Sequence, residues 1–377
     1  MPIITCYRRQ YAVGQGGLHL GIITYPHLNS NNEIVYNNFA YLYDCGCSGK
    51  KDLLNKKINN IIAILKNVPN LRYLYVFISH VHDDHIKGLP YLCKKLASSS
   101  FSNIHKVIVL PYMSDAEKII IFGNLSKARV FIDIENNPRE YNIDNIYYLN
   151  DTPGKDSYNY ELERGKYYIP KPDINSANLS HNDIFKFNSL FPYISWIIKP
   201  FYNSISDEIK TVIGQELKNR GINIQNFQNT NFTRILRRLY KKYNIDVHAS
   251  SMCLYSGVHT NINISLQREN GWLHTGDINF IENNEILENF NKHYAQEQDL
   301  VRVIQIPHHG SVENSTLDNF NNFRNRKTLF ITTQTKTNGH GRPHISDKYK
   351  DRAILLTETR EDIWTFESPY NVIWTNF

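Results

Sequence analysis

The chain has 377 residues, enough for one large domain or two ordinary ones, and its 41% apolar and 21% charged residues are typical of a globular protein. A formal net charge of +6 favours anionic partners only mildly, and an ordinary solvated basic surface explains it equally well. No apolar run has the length of a signal peptide or a membrane span, and the five cysteines lack the spacing of a disulfide framework. These features exclude a disulfide-rich or membrane-embedded protein and predict a cytoplasmic one.

The first segment of interest is glycine-rich. Residues 14–17 contain three glycines between two apolar runs, which predicts a hairpin or a close backbone approach beneath a site. The glycine spacing fits neither the dinucleotide fingerprint nor the Walker loop. Residues 40–46 then read as a strand that ends in an acidic turn at Asp44. Cys45 and Cys47 follow, and we interpret them as small turn residues rather than as a metal or redox pair.

A predicted strand leads directly into a cluster of histidine and aspartate. The apolar periodicity predicts a helix over residues 52–65, and the apolar run 71–78 predicts a buried strand. Residues 80–85 then place three imidazoles and two carboxylates within six positions. His80 and His82 point to the same side of an extended backbone, while Asp84 and His85 come where the chain turns, so the cluster offers ligands to two metal ions. A histidine-rich solvated turn is the alternative, but clustered ionisable groups beside a buried strand need partners.

The middle of the chain has a different character. A short strand is predicted over residues 106–111, after which 112–245 is rich in Asn, Tyr, Lys and Asp with few clear strands. Two stretches in its later part, 205–218 and 232–242, have helical periodicity. The second carries several cations, which indicates either a basic face for phosphates or an ordinary amphipathic surface helix.

Strand patterns resume after residue 246, and several of these strands end in histidine or aspartate. Asp277 lies in a Thr-Gly-Asp turn, and His308 and His309 follow the apolar run 301–306. A sheet that carries such residues at its strand ends gathers them into one cleft. Imidazole and carboxylate ligands suit Zn, Mn or Fe, and Asp277 suits the bridging carboxylate of a dinuclear centre, unless it is a plain turn aspartate.

The spacing His-x-His-x-Asp-His after a strand resembles the metallo-β-lactamase superfamily. The order of the motifs resembles the branch that includes the nuclease-like domain of the competence protein ComEC; these motifs are Val-Gly-Gln-Gly at 13–16, the cluster at 80–85, Thr-Gly-Asp at 275–277, Pro-His-His-Gly-Ser at 307–311 and Gly-His-Gly-Arg-Pro-His at 339–344. The resemblance implies a single domain, a four-layer αββα sandwich, with its core in 1–111 and 246–377. Residues 112–245 are unmatched and are expected to form a largely helical insertion.

The resemblance also implies a set of ligands for two divalent metal ions, Zn or Mn. His80 and His82 belong to one ion, Asp84 and His85 to the other, and Asp277 bridges the two ions.

The remaining ligands are less closely defined by the motifs. His309 is preferred over His308 as the final ligand because it directly precedes the glycine, and His308 then lies behind the ligands or contacts the phosphate. Asp44 is expected to orient the cluster from behind. The third histidine of the superfamily has no obvious counterpart, so His248 is either that ligand or a surface histidine. Gly17 stands where the branch tends to have aspartate.

The implied reaction is hydrolysis at phosphorus. Metal binding lowers the pKa of water, so that a nucleophile exists at neutral pH. Asp84 and Asp277 are expected to hold this nucleophile in line, while His344 and Lys87 offset the developing charge. His344 either donates to the leaving oxygen or is a structural turn histidine. The resemblance, with minor support from the basic charge, predicts a phosphodiester substrate, namely nucleic acid.

Three other functions remain open at this point. The first is a hydrolase of small thioesters, lactones or nucleotides, with 112–245 as a lid. The second is a metal-stabilised interaction module without activity. The third is a component of a bacterial defence or DNA-processing assembly, in which 112–245 docks a protein partner. Because no membrane segment is evident, DNA uptake is not inferred.

Overall fold

The computed structural model describes most of the chain outside the middle segment. The described residues are 3–113, 117–119, 128–150, 177–180, 184–188, 194–203, 207–222, 238–239, 242, 251–260, 269–281, 284–311, 313–323, 328–334, 353–357, 359–368 and 371–375. Among them, no helix is long and apolar enough to cross a lipid bilayer.

The described strands form two sheets. The first contains β1 (Thr5–Gln10), β2 (Leu18–Leu28), β3 (Ile34–Cys45), β4 (Leu71–Phe77), β5 (His105–Pro111), β6 (Asn145–Asn150), β7 (Ala177–Ser180), β15 (Ile363–Ser368) and β16 (Asn371–Thr375), in the order β16-β15-β1-β2-β3-β4-β5-β6-β7. The second contains β8 (Phe185–Asn188), β9 (Ile194–Phe201), β10 (Cys253–Thr260), β11 (Gly271–His274), β12 (Val301–Gln305), β13 (Leu329–Thr333) and β14 (Ala353–Leu356), in the order β14-β13-β12-β11-β10-β9-β8. Strands β3 to β7 run parallel to one another, as do β11 to β14, so the carboxyl ends of each set lie at one edge of their sheet.

The alternation of side chains along β4 explains how the sheets stack. Leu74 and Val76 face an apolar layer shared with helices, whereas Tyr75 and Phe77 face the second sheet. Because both faces are buried, the strand reads in the sequence as one continuous apolar run. The layer between the sheets is rich in aromatic rings, which fill the wide space between two twisted surfaces.

The helices cover both outer faces. The described ones are α1 (Lys51–Lys66), α2 (Asp83–Ile86), α3 (Leu89–Leu96), α4 (Ala128–Asn136), α5 (Asp207–Asn219) and α6 (Asn284–His293). Helices α1, α3, α4 and α5 contribute apolar side chains to the outer layer of the first sheet, and α6 packs on the second through Ile286 and Phe290. The resulting four layers are the αββα sandwich expected from the resemblance. Helix α1 matches the expected range closely because five of its apolar residues, at helical spacing, are buried.

The segment 112–245 contains more strand than its composition indicated. Its described part holds helices α4 and α5, but also β6 and β7, which extend the first sheet, and β8 and β9, which extend the second. Three of these strands are only four to six residues long, so their periodicity is weak in a polar sequence. The described part is therefore built into both sheets. The helix expected over 232–242 lies mostly outside the described residues.

Candidate metal centre

The candidate centre lies where strand ends of both sheets meet. Strand β4 ends at Phe77, and three residues later His80 begins the cluster that runs into α2. Asp277 follows β11, and His309 follows β12 in a tight turn, Pro307–Gly310. The two sheets stack face to face, so the ends of strands from both bring these distant parts of the chain together.

Two groups of side chains in this region have the composition and spacing of metal ligands. His80, His85 and Asp277 form one group, and Asp84, His85 and His309 form the other; within each group the candidate ligand atoms lie within 4.8 Å of one another. His85 belongs to both. His82 lies beside the first group, with its Nδ1 atom 2.8 Å from Nε2 of His80.

His85 provides the test of whether a metal fits. Its Nδ1 atom lies 2.7 Å from Oδ2 of Asp44, so Nδ1 carries the proton and donates to the carboxylate. Its buried Nε2 atom makes no hydrogen bond within the described residues, although Oδ1 of Asp277 lies 3.3 Å away and Oδ1 of Asp84 lies 3.9 Å away. An imidazole nitrogen that faces two carboxylates in this way fits a divalent cation between them.

Asp44 supports the cluster from behind. Its two carboxylate oxygens accept hydrogen bonds from the backbone N–H of Ser79 at 2.7 Å and from the Ser79 hydroxyl at 2.9 Å, in addition to the one from His85. Its backbone has a φ of 59°, in the left-handed region that non-glycine residues seldom adopt. Such backbone strain is concentrated at functional sites.

The glycine-rich segment packs directly beneath this turn, as the sequence predicted. The backbone N–H of Gly17 donates to the carbonyl of Asp84 at 3.1 Å. A Cβ atom on Gly46 would lie 2.5 Å from backbone atoms of Asp84 and His85, and one on Gly16 would lie 2.7 Å from the carbonyl oxygen of Asp84. Only glycine therefore allows the two backbones to approach this closely.

Cys45 and Cys47 are buried among apolar side chains of the layer beneath α1, rather than in the donor groups. Burial raises the pKa of the Cys45 thiol well above its ordinary value. Cys45 is the last residue of β3 and Cys47 lies in the segment that follows, so the first of them belongs to a strand rather than to a turn.

The electrostatics of the cluster favour bound positive charge. Burial alone would raise the pKa of Asp84, but His85 and His309 outweigh it and hold the pKa below its ordinary value. The pKa of Asp277 is likewise held well below its ordinary value, because neighbouring histidines outweigh its burial. Burial would lower the pKa of His85, yet the surrounding carboxylates raise it well above its ordinary value. A divalent cation would supply this positive charge in place of protons.

The two adjacent histidines after β12 have different surroundings. Both adopt left-handed backbone conformations, with φ of 47° at His308 and 55° at His309. His309 is 8% exposed, and its Nε2 atom lies 3.2 Å from Oδ2 of Asp84, inside the second donor group. The His308 side chain is 31% exposed, and its Nε2 atom lies 3.8 Å from Oδ2 of Asp277. The geometry supports the preference for His309 as a ligand and leaves His308 at the rim.

The structure does not test two of the predicted site residues and places a third, Lys87, away from the donor groups. His248 and His344 lie outside the described residues. Lys87 is described, and its ammonium group donates to the carbonyl of Gly49 at 3.1 Å, so it holds the 46–50 loop.

Several supporting residues were missed in the sequence. The Ser79 hydroxyl lies 3.1 Å from Nδ1 of His80, and the Ser251 hydroxyl accepts from the backbone N–H of Asp277 at 3.0 Å. Asn314 is buried, and its Oδ1 atom lies 2.6 Å from Nδ1 of His308. Serine and asparagine are too common for their positions to have been found, except that Ser79 directly precedes the cluster.

Comparison with known proteins supports the same superfamily. Residues 32–112 match the family model of the metallo-beta-lactamase superfamily. The matched segment contains Asp44 and the whole cluster at 80–85, but neither Asp277 nor His309. The match supports a metal-dependent hydrolase, in agreement with the donor groups. The finer resemblance to the ComEC-like branch stays a prediction.

Two solved structures share a remote similarity in overall arrangement. A long form RNase Z from yeast has 10% sequence identity and a TM-score of 0.37, covering 99% of this chain and 50% of that one, so this chain spans half the length of that protein. Unliganded yeast PDE1 has 11% identity and a TM-score of 0.41, covering 95% of this chain and 99% of that one. We draw no functional conclusion from either similarity. Among proteins of curated function, none matches the sequence significantly.

Proposed function

We propose that this protein is a dinuclear metal-dependent phosphodiesterase that acts on nucleic acid. The observation that carries the proposal is the pair of donor groups that share His85, with an imidazole nitrogen facing two carboxylates. The match to the metallo-beta-lactamase superfamily supports hydrolysis as the reaction class.

Asp277 is suited to connect the two halves of the centre. Its Oδ2 atom lies 3.5 Å from Nε2 of His80, while its Oδ1 atom lies 3.3 Å from Nε2 of His85 and 3.8 Å from Nε2 of His309. Each carboxylate oxygen therefore faces a different set of imidazoles, so Asp277 would be able to contact both ions of a dinuclear centre.

The chemistry supplied by bound divalent ions is the generation of a nucleophile from water at neutral pH and the stabilisation of negative charge on phosphoryl oxygens. The chain's own residues would hold the ions, and they fix the imidazoles. Asp44 holds His85 with Nε2 directed into the cluster, and Asn314 holds His308 at the rim of the site. Because Nδ1 of His308 donates to Oδ1 of Asn314, its Nε2 atom is directed toward Asp277, 3.8 Å from Oδ2 of that carboxylate.

The choice of nucleic acid rests on the resemblance and on the net charge of +6, which favours a polyanion. A small thioester, lactone or nucleotide would use the same donor groups, so a direct comparison of substrates is needed. The predicted protein partner of 112–245 concerns regulation and leaves the chemistry of the donor groups unchanged.

The decisive experiment measures metal content and cleavage together. We expect about two divalent ions per chain, and cleavage of labelled single- or double-stranded DNA or RNA with added Mn²⁺ or Zn²⁺. A double variant His82→Ala, Asp84→Ala should lose both the bound metal and the cleavage activity. The matched control is His105→Ala, Asp144→Ala, which removes another histidine–aspartate pair, 3.6 Å apart, at the start of β5. This control variant should keep both the bound metal and the cleavage activity.

The outcomes separate the alternatives. Bound metal without cleavage of any nucleic acid would contradict the phosphodiesterase and favour a small-substrate hydrolase or a partner-activated component. Absence of metal after loading would overturn the proposed mechanism.

A further inference from the structure

Thr333 lies at the end of β13, where the second sheet meets the glycine-rich loop between β1 and β2. The residue is 1% exposed, and its hydroxyl contacts two groups. The hydroxyl donates to the carbonyl oxygen of Gly16 at 2.7 Å, and its oxygen lies 3.4 Å from Nδ1 of His309. This single hydroxyl therefore connects a loop of the first sheet to an imidazole of the second donor group.

The contact with Gly16 decides what the hydroxyl can do toward His309. A hydroxyl has one proton to donate, and it accepts through its lone pairs. Because a carbonyl oxygen only accepts, that proton is committed to Gly16, and toward His309 the hydroxyl acts as an acceptor. Nδ1 of His309 then carries a proton, and the lone pair of the neutral imidazole lies on Nε2. This nitrogen is 3.2 Å from Oδ2 of Asp84 and 3.8 Å from Oδ1 of Asp277.

The glycine-rich loop is itself fixed against the other half of the second donor group. The backbone N–H of Gly17 donates to the carbonyl of Asp84 at 3.1 Å, and its carbonyl accepts from the backbone N–H of Gly46 at 2.9 Å. Gly16 has a φ of 144°, and a Cβ atom there would lie 2.5 Å from the carbonyl oxygen of Gly46. The loop has little room to shift, so the Gly16 carbonyl holds a fixed position relative to Asp84.

We propose that Thr333 is a positioning residue for His309, which it orients so that the Nε2 lone pair is available to a metal ion held with Asp84 and His85. This inference rests on the function proposed above. Without the hydroxyl, the proton of the neutral imidazole is free to lie on Nε2 and to donate to Asp84, which leaves no lone pair there for a metal ion. Groups that hold a ligating imidazole from behind change metal affinity by about 10- to 100-fold.

Metal affinity tests the proposal without relying on catalysis. Zinc is titrated into the metal-free protein in competition with a chromophoric chelator, so that the two binding steps are resolved. We expect Thr333→Val to weaken one of the two steps by about 10- to 100-fold, because valine has the shape of threonine but neither donates nor accepts. Thr333→Ser keeps the hydroxyl and should bind zinc as the unmodified protein does.

The neighbouring Thr332 provides a matched control. It is fully buried on the same strand, and its hydroxyl makes no hydrogen bond to any other residue that the structure describes. Thr332→Val therefore makes the same change of side chain without removing a contact to His309. Both of its zinc-binding steps should be unchanged.

Each outcome bears on the inference. Equal zinc affinity of Thr333→Val and the unmodified protein would overturn it, as would an equal weakening of both steps, the same loss in Thr332→Val or a loss that persists in Thr333→Ser. Selective loss of one step in a protein that cleaves no nucleic acid would support the positioning role while contradicting the phosphodiesterase. Absence of zinc binding by the unmodified protein would overturn both.

Discussion

Single residues behind the histidines decide how the imidazoles are oriented. Asp44 accepts from His85, and from both the backbone and the hydroxyl of Ser79, and the same hydroxyl lies near Nδ1 of His80. Because Nδ1 of His85 is committed to this carboxylate, Nε2 faces the donor groups. Groups of this kind tune the affinity of a site although they do not touch the metal.

We expect Asp44→Asn to reduce metal affinity by about 10- to 100-fold, because a neutral amide holds the His85 imidazole less strongly than a carboxylate. Asparagine tolerates the left-handed backbone at this position, so the fold should persist. Titration against a competing chelator measures the metal affinity. The control variant is Asp144→Asn, which changes an aspartate that directly precedes β6. An affinity equal to that of the unmodified protein would show that Asp44 has no orienting role.

Among the structural elements, two loops and the short helix α2 form the base of the site. The glycine-rich loop between β1 and β2 and the loop after β3 both touch the backbone of α2. Thr333, on β13, donates its hydroxyl to the carbonyl of Gly16 at 2.7 Å and lies 3.4 Å from Nδ1 of His309. These contacts connect elements from both sheets, so the position of the donor groups depends on close backbone packing.

Two glycines of one loop provide a matched pair of substitutions. Gly46→Ala should destabilise the protein by roughly 1–3 kcal/mol and weaken metal binding, because its Cβ has no room against α2. Gly49→Ala should change neither property, since its Cβ would lie 3.8 Å from the nearest atom, the carbonyl oxygen of Val13, at an ordinary contact distance. Chemical denaturation and metal titration measure both effects, and similar results for the two variants would contradict this account.

Polar side chains that are buried between the two sheets connect one sheet to the other. Arg8 on β1 pairs with Glu367 on β15 and donates across the sandwich to the carbonyls of Ser256 at 2.6 Å and Asn270 at 2.8 Å. Nearby, two further buried residues, His19 and His274, each place Nδ1 beside the amide oxygen of a glutamine. Such groups are costly to bury and cannot easily accept an added charge.

This arrangement predicts a loss of stability in mild acid. Burial, with a smaller contribution from the charge of Arg8, lowers the pKa of His274 to about 3, and burial lowers that of His19 well below its ordinary value. Well above the ordinary histidine pKa of about 6.5, the histidines are neutral in both folded and unfolded chains, so they cause no pH dependence. As the pH falls through that value, the unfolded chain takes up protons that the folded chain does not, and the free energy of unfolding falls by up to about 1.4 kcal/mol per pH unit for each histidine.

The variant His274→Gln tests this account. Its free energy of unfolding, measured by denaturant titration from pH 7 to pH 4, should fall less steeply with decreasing pH than that of the unmodified protein. Parallel curves for the two proteins would mean that His274 does not remain neutral in the folded state.

The sequence by itself determined the local features. The strand before the cluster, helix α1 and the glycine-rich approach beneath the site were all predicted, because periodicity and ligand spacing are set by neighbouring residues. The αββα arrangement was predicted through the order of its motifs and is confirmed. The strands within 112–245 were not recognised, because short strands in a polar segment form only by pairing with sheets that already exist.

The tertiary structure alone decided which distant residues meet. Asp277 and His309 are far from the cluster in the sequence, and the packing of the second sheet on the first brings them within a few ångströms of it. The same folding separates His309 from His308, which are adjacent in sequence but differ in burial because of the left-handed turn that carries them. Ser79, Ser251 and Asn314 acquire their supporting roles only from this packing, since no local pattern distinguishes a serine or asparagine that will face a buried imidazole.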